Sequence, residues 1–159
     1  ALASLAVVVM DCAVVCMPAA AVEDRLDSNP RACVSVAARR GNMLLVDDDE
    51  MVSQVVRRAL SAEHEVSIVD SAGRALELFR AGERFDVVLC DLMMPQVTGM
   101  ELYQALLSLD RAQAARIVFM TGGAFTPSAR SFLDSVPNPR LEKPFELSVL
   151  RALVNELVV

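Results

Sequence analysis

From Met43 to the C-terminus the sequence alternates short, unbroken apolar runs with longer stretches in which apolar residues recur every three or four positions. This alternation constrains the chain most, because it is the pattern of repeated β-α units, and such units associate into a parallel sheet. Runs such as Met43-Leu-Leu-Val46 and Val87-Val-Leu-Cys90 have no polar face, so helices are expected to cover both sides of those strands. The pattern predicts five strands: Met43 to Asp47, Glu65 to Val69, Asp86 to Cys90, Ile117 to Met120, and a weaker one around Leu141. Between them, Met51, Val52, Val55, Val56, Ala59 and Leu60 mark one helical face, and Leu147, Leu150, Leu153, Val154 and Leu157 mark another. Asp48 or Asp49, and Asp70 or Ser71, stand where a side chain can cap the first turn of the helix that follows.

A chain of 159 residues is long enough for one such domain and leaves little for a second. Residues 1–22 are almost all apolar but are interrupted by Ser4 and Asp11, and neither a starting Met nor a basic lead-in is present. A membrane span there would bury Asp11, and a secretory signal would lack its charged start, so the segment is read as the remnant of a preceding domain in a fragment. Residues 23–42 mix charges with Ser, Asn, Pro and Gly without a period and read as a linker, which places the domain at 43–159.

The net charge of −6 offers no basic surface for nucleic acid or for an anionic membrane. Four cysteines without a CxxC pairing, and a single histidine, His64, argue against a zinc site and read as reduced thiols in a cytoplasmic protein. His64 is expected at an exposed turn, Cys90 inside a strand, and Met93 and Met94 in packing or partner contacts.

In an open parallel sheet, ligands bind beyond the carboxyl ends of the strands. The first strand runs into Asp47-Asp48-Asp49, the third into Asp91, the fourth into Thr121 and the fifth into Lys143-Pro144. If the strand order is 2-1-3-4-5, the first and third strands are neighbours and Asp47 or Asp48 comes beside Asp91. Carboxylates gathered that closely call for a counter-charge, most simply Mg²⁺ with oxygen ligands. Taken singly, each feature has a plainer reading: a helix cap for the acidic triplet, a turn residue for Asp91, an ordinary strand exit for Lys143-Pro144. Their joint placement on one sheet edge favours the functional reading.

Leu44-Leu-Val-Asp-Asp-Asp49, Asp91-Leu-Met-Met-Pro95 followed by Gly99, Val118-Phe-Met-Thr121 and Glu142-Lys-Pro-Phe145 resemble, in order and spacing, the four blocks of a response-regulator receiver domain. The resemblance runs from Met43 to the C-terminus. It implies a flavodoxin-like (βα)5 doubly wound sheet of order 2-1-3-4-5, here with an N-terminal extension. It implies that Asp91 accepts a phosphoryl group from a phosphohistidine of a histidine kinase or histidine phosphotransfer domain. Asp47, Asp48 and Asp91 would hold Mg²⁺ with the Met93 main-chain carbonyl, while Lys143 and Thr121 would bind the phosphoryl group, and a cis peptide is implied at Pro144. Phosphorylation would draw in Thr121 and bias the loop from Gly122 to Pro127. One position departs from the family: three residues before the lysine many receivers carry an aromatic switch residue, and here it is Arg140. Phe119, Phe145 or loop order alone are the remaining candidates for reporting the change.

An aspartyl-nucleophile phosphatase would want a second Asp two residues after Asp91, where Met93 stands. A pseudo-receiver that only binds a partner would be expected to lack a ligand, the phosphoacceptor or the lysine, and none is missing. The domain itself is expected to contact neither nucleic acid nor membrane, and a dimer through the face of the fourth and fifth helices is what the resemblance implies. Cys12-Ala-Val-Val-Cys-Met-Pro-Ala-Ala20 is similar to the closing strand of a kinase ATP-binding domain, and Met120-Thr-Gly-Gly-Ala-Phe-Thr-Pro127 resembles hybrid-kinase receiver loops. A terminal receiver of a hybrid histidine kinase is therefore expected over a single-domain regulator, and no ATP-dependent activity is expected of this fragment.

Overall fold

The structure is a computed structural model that describes residues 6–10, 13–17, 39–122 and 126–158. The chain divides into two compact units, Ala1–Val36 and Ala37–Val159. The described part of the first is an antiparallel pair of strands, β1 (Ala6–Met10) and β2 (Ala13–Met17). The side chains of residues 1–22, and with them the membrane and signal-peptide alternatives, lie outside the described residues. No helix among the described residues is long and apolar enough to cross a membrane.

The second unit runs β3 (Asn42–Val46), α1 (Glu50–Leu60), β4 (Glu65–Val69), α2 (Ala72–Arg80), β5 (Val87–Asp91), α3 (Gly99–Leu109), a single turn α4 (Arg111–Ala114), β6 (Ile117–Gly122), α5 (Pro127–Ser135), β7 (Arg140–Lys143) and α6 (Leu147–Leu157). Its five strands are all parallel in the order β4-β3-β5-β6-β7, which is 2-1-3-4-5 when this unit's strands are counted alone. This is the expected doubly wound, flavodoxin-like sheet. The helices that resemble a receiver's fourth and fifth are α5 and α6.

Alternation along fully apolar strands explains why both faces are covered. Leu44, Val46, Val88, Cys90, Ile117 and Phe119 point to one side, where Ala75 and Phe79 of α2, Leu102 and Leu106 of α3, and Leu133 of α5 meet them. Met43, Leu45, Val87, Leu89, Val118 and Met120 point to the other, against Val56, Ala59 and Leu60 of α1 and Leu150 and Val154 of α6. Each fully buried Leu, Val or Phe contributes about 1.5–3 kcal/mol, so the central strands carry most of the stability.

Local signals set the helix starts. Asp49 caps α1 by accepting from the Met51 and Val52 amides, and Thr98 with Glu101 forms a reciprocal capping box on α3. Ser71 stands at the start of α2 without a side-chain cap bond. His64 corrects an expectation: it is 1% exposed. The turn between α1 and β4 is folded under α6, and the ring is held there by two hydrogen bonds, to Gly41 and Asn155.

Candidate functional site

Strand register explains how residues far apart in sequence reach one crevice. Val46 is paired with both Val69 and Cys90, so Asp47 and Asp91, each one residue further on, emerge side by side at the carboxyl edge of the two central strands. Asp91 is paired with Met120, which sets Thr121 one step beyond it, and Gly122 is paired with Lys143. The four sequence blocks thus converge because each ends a neighbouring parallel strand.

Carboxylate oxygens of Asp47, Asp48 and Asp91 lie within 4.8 Å of one another. The Lys143 ammonium bridges two of them, donating to Asp47 Oδ2 at 2.8 Å and to Asp91 Oδ2 at 2.7 Å. The other oxygens are oriented by main chain: Asp47 Oδ1 accepts from the Asp49 amide at 2.9 Å, and Asp91 Oδ1 from the Met93 amide at 3.1 Å. Asp47 is buried, Asp91 is partly open, and Asp48 is exposed. The Lys143–Pro144 peptide is cis.

The electrostatics are unbalanced. Burial raises the Asp47 carboxyl above its ordinary value, and the Lys143 and Asp49 hydrogen bonds that favour its ionised form do not cancel that rise. Burial alone would lower Lys143, but hydrogen bonds to Asp47 and Asp91 prevail and raise it, so the ammonium stays charged. One cation therefore faces three carboxylates, an arrangement of hard oxygen donors that fits a divalent cation. Cys90, next to the nucleophile candidate, is buried beside these charges and its thiol is pushed far up, so it stays protonated and unreactive.

Thr121 is 1% exposed and its hydroxyl donates a long bond of 3.5 Å to the Leu141 carbonyl of β7. It also lines a cavity of about 400 Å³ between α5 and β7, together with Arg130, Leu133, Asp134, Arg140 and Glu142. Of these, Arg140 is paired with Asp134 of α5 at 3.4 Å. Phe119, on the same side of β6 as Thr121, is instead locked in an aromatic cluster with Tyr103 and Phe132, ring centroids 5.8 and 5.3 Å away. Gly123, Ala124 and Phe125, within the loop from Gly122 to Pro127, lie outside the described residues.

Sequence reasoning missed one feature beside the site. An apolar groove of about 510 Å³ runs along α1 and the turn after β7, lined by Met51, Val55, Phe145 and Leu147 and ending at Lys143. Met51 is 80% and Val55 50% exposed. The signal in the sequence is the apolar face of α1 marked by Met51, Val52, Val55, Val56, Ala59 and Leu60, which is wider than one core contact requires.

A family model described as response regulator receiver domain matches residues 43–155. The response regulator MprA of Mycolicibacterium vanbaalenii is 32% identical over 117 residues, 73% of this chain and 49% of that protein. The probable transcriptional regulator ycf29 of Porphyra purpurea is 27% identical over 119 residues, 74% of this chain and 56% of that one. The chain thus spans about half the length of the curated relatives it matches. Among solved structures, the chemotaxis protein CheY4 of Vibrio cholerae is similar with a TM-score of 0.62 at 27% identity, over 76% of this chain and 99% of that chain. The motifs, the sheet order and the match over residues 43–155 agree: the chain belongs to the response regulator receiver domain family, the phosphoacceptor module of two-component signalling.

Proposed function

We propose that Asp91 is the phosphoacceptor and takes its phosphoryl group from a phosphohistidine on a histidine kinase or histidine phosphotransfer domain. The observation that carries this reading is the Asp47–Asp48–Asp91 cluster with Lys143 bonded to two of its members. In the transfer an Asp91 carboxylate oxygen forms the new O–P bond as the N–P bond breaks, and the electron pair returns to the imidazole nitrogen of the donor. Such a reaction asks the protein mainly for position and for charge stabilisation. Met93 and Lys143 fix the two Asp91 oxygens, and Lys143 offers its ammonium to a phosphoryl oxygen once phosphorylation displaces its present bond. Mg²⁺, held by Asp47, Asp48, Asp91 and the Met93 main-chain carbonyl, would neutralise charge on the transferred group. Thr121 supplies a hydroxyl one residue beyond the Asp91 neighbour in β6, and the bond of that hydroxyl to the Leu141 carbonyl is long enough to be exchanged readily.

The apolar groove ending at Lys143 supports a protein donor, since a helix seated along Met51, Val55 and Leu147 would end at the reactive carboxylate. For context we favour the terminal receiver of a hybrid histidine kinase, acting in the cytoplasm. The resemblance of residues 12–20 to a kinase strand supports this, while the curated relatives are response regulators. The α5–α6 face is the proposed dimer surface.

The test is incubation with Mg²⁺ and acetyl phosphate followed by intact mass, with Asp91→Asn and EDTA as controls. A gain of one phosphoryl mass that both controls abolish is expected. No gain, with Mg²⁺ binding shown separately, would replace this reading with that of a pseudo-receiver acting as a phosphorylation-independent binding module.

A further inference from the structure

At the opposite edge of the sheet from Asp91, three parts of the receiver unit meet on one imidazole. His64 closes the turn between α1 and β4 and is 1% exposed. Its Nδ1 accepts the Gly41 amide at 3.2 Å, and its Nε2 lies 2.9 Å from Asn155 Oδ1 of α6. An amide N–H can only donate, so Nδ1 must be unprotonated and Nε2 must carry the hydrogen that goes to Asn155. Asn155 Nδ2 then donates to Glu63 Oε2 at 3.0 Å, which completes a chain in which every member has one permitted role.

The same glycine is held twice more. Its carbonyl accepts the Glu65 amide at 2.9 Å. It also packs so closely on the end of α6 that a Cβ there would come within 2.6 Å of the Val158 side chain. Gly41 is the residue just before β3, five positions into the second unit, so whatever frees it frees the start of the domain together with the last turn of α6.

We infer that His64 is an acid-sensitive latch that ties the start of the receiver unit to its C-terminal helix, and that protonation of the ring opens it. A second ring proton would sit on Nδ1 and point at the Gly41 N–H, setting donor against donor, and it would place a charge in a site almost closed to water. The charged groups on the surrounding elements are Glu63 and Glu65 beside the ring in sequence, Arg57 and Arg58 in the last turn of α1, Arg39 and Arg40 on the segment leading into β3, Asp86 just before β5, Arg116 at the Leu157 carbonyl, and Arg151 and Glu156 on α6. None of them bonds the ring. Asp86 is engaged by Asn42 and Arg39, Arg151 by the Ala59 carbonyl, and Glu63 reaches the ring only through Asn155. An imidazolium therefore gains no carboxylate partner in the closed arrangement.

The chain has one histidine, which makes the test direct: imidazole ¹⁵N signals and amide hydrogen exchange followed together on the full chain from pH 7.5 to pH 5. At pH 7.5 the ring should be the Nε2–H tautomer. On acidification, imidazolium formation and exchange at Gly41, corrected for the intrinsic rate, should rise with one midpoint. Exchange should increase roughly tenfold at Gly41 and in the last turn of α6, and stay unchanged in β5 and β6. In Asn155→Asp a carboxylate faces Nε2, so both midpoints should move together to higher pH. The latch is overturned by an Nδ1–H tautomer at neutral pH, by ring titration without change at Gly41, or by an Asn155→Asp midpoint equal to that of the wild type.

Discussion

Asp48 and Lys143 show what single charges do in this crevice. Asp48 is exposed and adds a third negative charge within 4.8 Å of two others, while its carboxylate makes no hydrogen bond among the described residues. Replacing it removes repulsion without removing a bond, so Asp48→Asn in EDTA should melt a few degrees above the wild type, and Mg²⁺ should no longer raise its melting temperature. Lys143 has the opposite sign. Its ammonium is held above its ordinary value of 10.5 by the two aspartates despite burial. A group raised on folding contributes stability that is fully present below its unfolded value and is lost as pH climbs through the folded one. Urea midpoints should therefore fall as pH rises beyond 10.5, and Lys143→Met should lack that component of the fall. Parallel curves for the two proteins above pH 10 would show that the ion pairs contribute nothing.

The start of α3 and the outer face of α1 place the site at the scale of elements. The first residue of α3, Gly99, donates to the Leu92 carbonyl, and a Cβ on it would come within 2.5 Å of the Asp91 carbonyl oxygen and 3.1 Å of Cys90 Sγ. No side chain fits there unless the helix or the Asp91 main chain moves. Gly99→Ala should accordingly cost about 1–3 kcal/mol by chemical denaturation and also slow phosphorylation by acetyl phosphate. On α1, Val55 lies on the open groove and not in the core, so Val55→Glu should leave stability within about 0.5 kcal/mol. It should slow phosphotransfer from a phosphorylated histidine protein by roughly tenfold, the effect of one lost buried apolar contact, while labelling by acetyl phosphate is unaffected. Equal loss with both donors would mean that the groove shapes the site and does not seat a partner.

Across the whole molecule, the strand ends that carry Asp47, Asp91, Thr121 and Lys143 were legible because each stands where an apolar run stops, whereas the sheet order that brings them together was implied by the resemblance to receiver domains. Partnership between side chains was not legible in this way. Nothing near His64 in sequence announces Asn155, and the three-and-four spacing on α1 reports a face without saying that Val56 is covered while Met51 stays in water. Arg140 could be recognised as a departure from the family, but its pairing with Asp134 depends on how α5 lies against β7. The carboxylate cluster, by contrast, joins the ends of two separate strands, and this gives it a molecular-scale consequence. A cation that needs carboxylates from both β3 and β5 binds only when the sheet is formed, so its binding free energy becomes folding free energy of the whole unit. At a Mg²⁺ concentration of a hundred times its Kd, unfolding of the receiver unit should be harder by about 2.7 kcal/mol, with an unchanged denaturant slope. The rise should follow the logarithm of Mg²⁺ concentration and vanish in Asp91→Asn together with Asp48→Asn. A rise that persists in that double variant would place the cation elsewhere and separate its effect from this crevice.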